Sequence, residues 1–571
     1  MGDFVPSEYQ KKIFEFVEQG IGNAVVNAKA GSAKTTTAIK ALDYIPDDKK
    51  VLFIAFNKAI AEEIQKKTTN LKNVKVRTFH SLGLAILTEN IGQKELAKYK
   101  YTSYIISNIE ELSGGIYSAL SDVEKNNYKE NCIQLVDLAR YNNCQTTDEI
   151  RKMVEKYGLA IEGTEPEVVF DVLEWGKTYT DKIDFLDMEW LPCELGFGTK
   201  RSKYDWIIID EAQDSSPIQQ KLVKKCFKRN TRFMAIGDKC QCINAWAGAD
   251  LEAFENFEKE PNTETYDLPV SFRCSKAVIK KAQELVPDII AYENALEGGV
   301  YTENISPYHA QNGDMVLCRN TVPLVQLYMD YLKYNIKAFI KGSDLGENLN
   351  KMVDSTKKTE LNASMLSDGV LPVLWKFVLT TLSKTMKKHN LDASHAIATE
   401  EFMSVYDSVK TIEILSKGLA TSAQLKDRIN RIFLKDDGDG VCLSTVHKAK
   451  GLEAVNVYIL CPSLMPSSKA TLPWEIEAER NIQYVAITRA KKNLYYVSEK
   501  IFPPERGYAN ASSVLEDIKN ISDQLLKLYH KNFLTDTGLT TSTYTPTQRS
   551  FKPTPQKPKK VGANKFRNFM K

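Results

Sequence analysis

The sequence predicts an α/β fold of two parallel-sheet units, each interrupted by a mainly helical insertion. Three observations predict it. Short apolar strands alternate with helical stretches toward both ends of the chain, with loops at the strand ends. Two long segments, near 84–183 and 351–436, instead space their apolar residues three and four apart. Finally, 571 residues at 43% apolar content are enough for several domains with buried cores, which excludes global disorder.

Ala24–Val26 forms the first strand and runs into AKAGSAKTTTAIKAL (28–42). Val51–Phe56 (VLFIAF) and Val74–Arg77 follow, the latter leading into TFHSL (78–82). After the first helical segment, strands return at Trp206–Ile209 and Phe233–Ile236. A second set begins near Tyr266, with strands at Asp314–Cys318 and Ile336–Ile340. Beyond the second helical segment come Val441–Ser444, Val455–Leu460, a helix around Ile482–Ile487 and a last strand at Leu494–Val497. No fixed-period repeat is visible. The expected domains are therefore 1–84 with 184–265, an insertion at 85–183, a second unit at 266–350 with 437–530, a reduced insertion at 351–436, and a tail at 531–571 whose composition predicts disorder.

The net charge of +3 conceals an asymmetry. Residues 541–571 hold eight basic side chains and no acidic one, leaving 1–540 at −5. Overall charge therefore does not flag a nucleic-acid enzyme. Ten cysteines without a CxxC pair exclude a zinc framework and read as reduced, apolar thiols. No apolar run reaches the ~18 residues of a spanning helix, and the opening MGDFVPSEYQ matches neither a secretory leader nor a myristoylation signal. A cytoplasmic protein at the nucleoid of a bacterial or phage-infected cell is expected.

Ala28–Thr35 sits between a strand and a helix, where backbone amides can cradle phosphate. Ala30, Gly31, Ser32, Ala33, Lys34, Thr35 and Thr36 would line that cradle, with Lys34 reaching the β/γ-phosphates and Thr35 ligating Mg2+. The strict pattern wants Gly at Ala28 and Ala33. Tyr204–Asp214 (YDWIIIDEAQD) ends a buried strand in carboxylates, which is costly unless they are paired or metal-bound. Asp210 would hold the metal and Glu211 would orient attacking water.

DEAQD, TFHSL, GDKCQCINAWAGA (237–249), LPVSFR (268–273), STVHKAKGLE (444–453) and QYVAITRAKK (483–492) occur in one order across about residues 5–500. Together they resemble the motifs of the UvrD/Rep/PcrA group of superfamily 1 DNA helicases, and AFNKAIAEEI (55–64) is similar to phage-type and F-box-type members. That resemblance implies two RecA-like motor domains, ATP hydrolysis with Mg2+, and unwinding of DNA during replication, repair or recombination. It assigns Gln10 to the adenine edge, Phe272 to stacking near adenine, Gln241 to γ-phosphate sensing, Arg273 and Arg489 to arginine fingers, and Glu453 to the sugar end. The KGLE wording is similar to the 3′→5′ group. Ala33, Thr36, Asn244 and Ala247 depart from the usual pattern; at a positive φ, Ala33 would cost about 1–2 kcal/mol.

Single-stranded DNA is the expected track, with junctions as substrates. Phe56, Phe79, His80 and Trp246 are candidates for stacking on bases, while Thr78, Thr445 and His447 would contact phosphates or orient loops. The basic tail could dock a replication, recombination or transcription protein, tether DNA, or merely solubilise. A monomer-competent motor is expected. The competing readings are a translocase that strips recombination proteins and a nucleotide-gated DNA-binding scaffold.

Overall fold

The computed structural model describes residues 4–521 except 121, 160, 162, 199–202, 245–251, 362–368, 390, 398, 435–437, 468–469, 505–513 and 515. The expectations for Trp246, Ala247 and the tail at 531–571 lie outside the described residues.

The first sheet is entirely parallel. Its strands are β1 (Asn23–Ala28), β2 (Val51–Ile54), β3 (Val74–Arg77), β4 (Tyr204–Asp210), β5 (Phe227–Gly237) and β6 (Thr263–Leu268), in the order β3-β2-β4-β5-β1-β6. Runs such as VLFI in β2 are buried along their whole length because helices cover both faces. One face packs Ala24, Val26, Phe53, Ile208 and Met234 against the helices Glu8–Gln19 and Lys34–Ala41. The alternate residues Val25, Leu52, Ile54, Ile207 and Ile209 face the helical insertion, sharing one core with Tyr101, Leu135, Val168 and Trp190. Residues 266–268, which the sequence pattern assigns to the second set, instead complete the last strand of the first sheet: Val26 pairs with Tyr266 in β1–β6.

The second sheet comprises β7 (Gly299–Tyr301), β8 (Met315–Cys318), β9 (Ala338–Lys341), β10 (Phe433–Leu434), β11 (Val441–Thr445), β12 (Ala454–Ile459) and β13 (Ala490–Tyr496). It is also parallel, in the order β7-β13-β12-β8-β11-β9-β10. These are two RecA-like sheets with helices around them. One face of the second sheet holds Leu317, Val457 and Ile459 against helix Pro473–Ile487; Ala30 and Ile243 of the first unit join that cluster, so apolar contact continues between the units. The opposite face packs Val316, Cys318 and Leu443 into one cluster with Trp375, Val378, Phe402 and Tyr406 of the helices Val370–His389 and Glu400–Ser416.

The first insertion is helical apart from a two-residue pairing of Glu95–Leu96 with Lys182–Ile183. The ten cysteines are free thiols, eight of them buried, so packing accounts for most of them. No described helix is long and apolar enough to cross a membrane.

Candidate nucleotide site and nucleic-acid track

Parallel register brings the chemistry to one sheet edge. β5 lies between β4 and β1, pairing Ile236 with Asp210 and Gly237 with Asn27. The carboxylates after β4 and the phosphate loop after β1 therefore emerge at one level. Within the loop, Gly31 takes φ 74° and Ala33 takes φ 63° with ψ 39°. Ala33 caps helix Lys34–Ala41 without a side-chain hydrogen bond, leaving the first-turn amides to an anion. Gly31 is fixed by space as well: a Cβ there would stand 2.6 Å from both Arg273 Cβ and Ser271 Oγ.

Lys34 Nζ lies 3.2 Å from Glu211 Oε1, and Thr35 Oγ1 donates to Asp210 Oδ2 at 2.7 Å. Glu211 itself is held at φ 53°, backbone strain of the kind stored at working sites. Burial and the adjacent Glu211 carboxylate push the Asp210 carboxyl up. Burial also acts upward on Glu211, but Lys34 and Lys450 outweigh it and hold that carboxyl down. The result is an ionised Glu211 beside a more proton-loving Asp210. The hydroxyl of Thr35 and the carboxylate of Asp210 form a hard-oxygen pair suited to Mg2+. Ser32 Oγ, buried with no hydrogen-bond partner, is a polar group left over in the cradle. These residues fit a nucleotide triphosphate with its metal.

The second unit closes over this edge. Arg489 is 1% exposed and donates from Nη2 to Gln241 Oε1 at 3.4 Å, while its other nitrogens reach the carbonyls of Val485 (3.0 Å) and Leu452 (3.1 Å). Burial and Arg273 pull its guanidinium down to about 10, which leaves it charged at neutral pH. Gln241 Nε2 donates to Asp238 Oδ2 at 2.6 Å. Arg273 Nε lies 2.6 Å from Glu453 Oε2, and Lys491 Nζ 2.7 Å from Glu453 Oε1, so this acid is engaged by two cations.

Phe272 donates its amide to Gly31 O at 2.9 Å and keeps an exposed ring 5.2 Å from that of Tyr292. Gln10 is buried. Its Oε1 accepts from Ser7 N at 3.0 Å in a capping box, and its Nε2 donates to Thr37 Oγ1 at 2.8 Å. Thr36 is exposed.

Several participants went unnoticed in the sequence. Gln213 donates to Glu211, and its Oε1 accepts from Asp238 N at 3.0 Å; this approach is possible because Gly237 has no Cβ. Lys450 pairs with Asp214 and donates to Gln241 O at 2.8 Å. Tyr484 Oη accepts from Ala30 N at 3.0 Å, and Lys29 Nζ lies 2.7 Å from Asp288 Oδ2. Gln213, Lys450 and Tyr484 lie inside the quoted motifs DEAQD, STVHKAKGLE and QYVAITRAKK, which was the available signal.

Of the track candidates, Phe56 is 39% exposed after β2, whereas Phe79 is only 4% exposed and belongs to the core. Phe79 therefore offers no stacking face in this structure, because a helix starts there and Thr78 caps it, turning the ring inward. His80 is partly exposed, with Nδ1 3.0 Å from Glu189 Oε1. Thr78 Oγ1 accepts from Ser81 N at 3.2 Å. Thr445 ends β11, and its Oγ1 accepts from Lys448 N at 3.5 Å. Burial, with Arg319, Lys448 and Lys450 nearby, pushes His447 down to about 3, which favours the neutral imidazole. Asn244 Nδ2 donates to Asp214 Oδ1 at 3.4 Å.

Residues 9–262 match the UvrD/REP helicase N-terminal domain, and residues 440–497 match the UvrD-like helicase C-terminal domain. Among similar proteins, the ATP-dependent DNA helicase Rep of Buchnera aphidicola subsp. Baizongia pistaciae is 23% identical over 86% of this chain and 90% of its own length. The ATP-dependent DNA helicase PcrA of Bacillus subtilis is 23% identical over 90% of this chain and 85% of its own. F-box DNA helicase protein 1 of Schizosaccharomyces pombe is 27% identical, covering 82% of this chain and 55% of that protein.

Proposed function

Because the chain belongs to the UvrD/REP helicase family, we propose that this ATP-hydrolysing DNA helicase moves 3′→5′ on single-stranded DNA and separates duplexes at junctions. The observation that carries the reading is that the nucleotide edge is shared. Arg489 of the second unit meets Gln241 of the first, and Lys450 of the second pairs with Asp214 of the first. Charge stabilisation supplied from across a cleft makes hydrolysis depend on closure. Lys34 and the loop amides would hold the phosphates, and ionised Glu211 would orient the attacking water. Thr35 and Asp210 would hold Mg2+, which when bound neutralises developing phosphate charge. Gln241, placed between Asp238 and Arg489, would report the state of the nucleotide to both units.

Phe56 and His80 follow strands of the first sheet, and Thr445 ends a strand of the second, so a strand lying along both would feel their relative motion. Unwinding of duplexes bearing either a 3′ or a 5′ single-stranded overhang tests enzyme, substrate and polarity together. We expect activity on the 3′ overhang and none with Lys34→Ala. Activity confined to the 5′ overhang overturns the polarity. DNA-stimulated hydrolysis without strand separation would favour the protein-stripping reading instead.

A further inference from the structure

Glu189 is a carboxylate with no exposed surface in helix Asp187–Glu194, outside the motifs discussed above. Burying an ionised carboxylate is costly unless it is paired. Among the described residues no lysine or arginine pairs with it. Its partners are His80, whose Nδ1 lies 3.0 Å from Oε1, and Gln219, whose Nε2 donates to Oε2 at 3.0 Å and to Oε1 at 3.2 Å. Gln219 in turn forms the capping box of helix Pro217–Lys224: its Oε1 accepts from Ser216 N at 3.0 Å, and its own amide donates to Ser216 Oγ. Ser216 follows the DEAQD segment by two residues. A continuous polar chain thus runs from a partly exposed track residue, through a buried acid, to the helix behind the catalytic carboxylates.

The chemistry of that chain has one direction. An ionised carboxylate only accepts, so Nδ1 of His80 must carry the proton, and Nε2 is the ring nitrogen left for a ligand. Protonation of Nε2 makes it a donor to a phosphate oxygen, and Glu189 favours that form. We propose that Glu189 is a positioning residue for the DNA contact of the stimulated reaction, turning His80 Nε2 toward the strand. This rests on the reading of His80 as a DNA contact.

The test uses the full chain and an oligothymidylate, comparing wild type with Glu189→Gln, His80→Ala and the double variant. Glu189→Gln should raise the DNA concentration for half-maximal ATPase stimulation by about tenfold, the scale of one lost charge-assisted hydrogen bond. Turnover without DNA and at saturating DNA should stay within about twofold of wild type. Affinity should also be lost at lower pH in the variant, because Glu189 raises the His80 pKa against the downward push of burial. Among the described residues, the remaining groups around the pair are Asp184 near His80, Tyr141 and Cys193 near Glu189, and Gln219, all kept in both proteins. His80→Ala should weaken DNA to a similar degree, with no further loss in the double variant. If His80→Ala weakens DNA but Glu189→Gln matches wild type, the positioning role is overturned and the track reading stands. If neither changes half-saturation, His80 is not a DNA contact and both fall. If Glu189→Gln depresses turnover equally with and without DNA, Glu189 is structural only and the inference fails.

Discussion

Replacing Ala33 with glycine should stabilise the first motor unit without impairing hydrolysis. Ala33 stands at φ 63°, ψ 39°, in the left-handed region where a Cβ costs about 1–2 kcal/mol. Glycine removes that cost in the folded state. It also loosens the unfolded chain, which offsets about 0.4–1 kcal/mol. The expected net gain is about 0.5–1 kcal/mol. At roughly 2–4 °C per kcal/mol for a unit of this size, the melting temperature should rise by about 1–4 °C. Because the loop keeps its conformation, Lys34 and Thr35 keep their places, and kcat for ATP should stay within about twofold. Differential scanning fluorimetry and steady-state hydrolysis on the two proteins measure both quantities. A lower melting temperature, or turnover reduced more than about tenfold, would refute the reasoning, since the Ala33 methyl would then contribute something other than strain.

Gly31→Ala should act oppositely, through closure. The new methyl would meet Arg273 Cβ and Ser271 Oγ at 2.6 Å, an overpacking of about 1–3 kcal/mol when the units meet, added to the about 1–2 kcal/mol that a Cβ costs at φ 74° in either state. ATPase kcat should fall about five- to a hundredfold, with binding of a fluorescent nucleotide affected less; equal loss in both would refute it. Lys450→Ala should open the cleft, because it strips the Asp214 carboxylate of its cation where its side chain has no exposed surface. Breaking a buried pair costs about 3 kcal/mol or more, and the radius of gyration by solution scattering should increase, with Asp214→Asn in the same chain restoring part of the closed form.

The sheets and the phosphate-binding edge were legible in the sequence because each depends on residues close together in the chain. Apolar strands such as VLFI reveal themselves by composition, and DEAQD carries its chemistry at a strand end. What escaped depends on contact between distant segments. Lys450 and Gln213 lie inside quoted motifs, yet their partners become visible only when the second unit meets the first. The stretch from Tyr266 reads as the start of a new unit until its register with β1 places it at the edge of the old one. Phe79 and His80 are neighbours in the chain with opposite fates. A helix beginning at Phe79 buries one side chain and leaves the next partly in solvent, a distinction that strand-end reasoning does not make.

The helices that interrupt the second sheet share its core, with Trp375 and Phe402 packed into the same cluster as Val316 and Leu443. Tyr406 and Lys410 of that insertion also bind Asp517 at 2.8 Å and 2.7 Å, near the end of the described chain. Mechanically, this makes the insertion an outrigger welded to its motor rather than an arm on a swivel. Load applied to it, by a duplex or by another protein, would be borne by the sheet whose strands end at Thr445 and begin just after Arg489, so resistance ahead of the motor would be felt as a change in stepping.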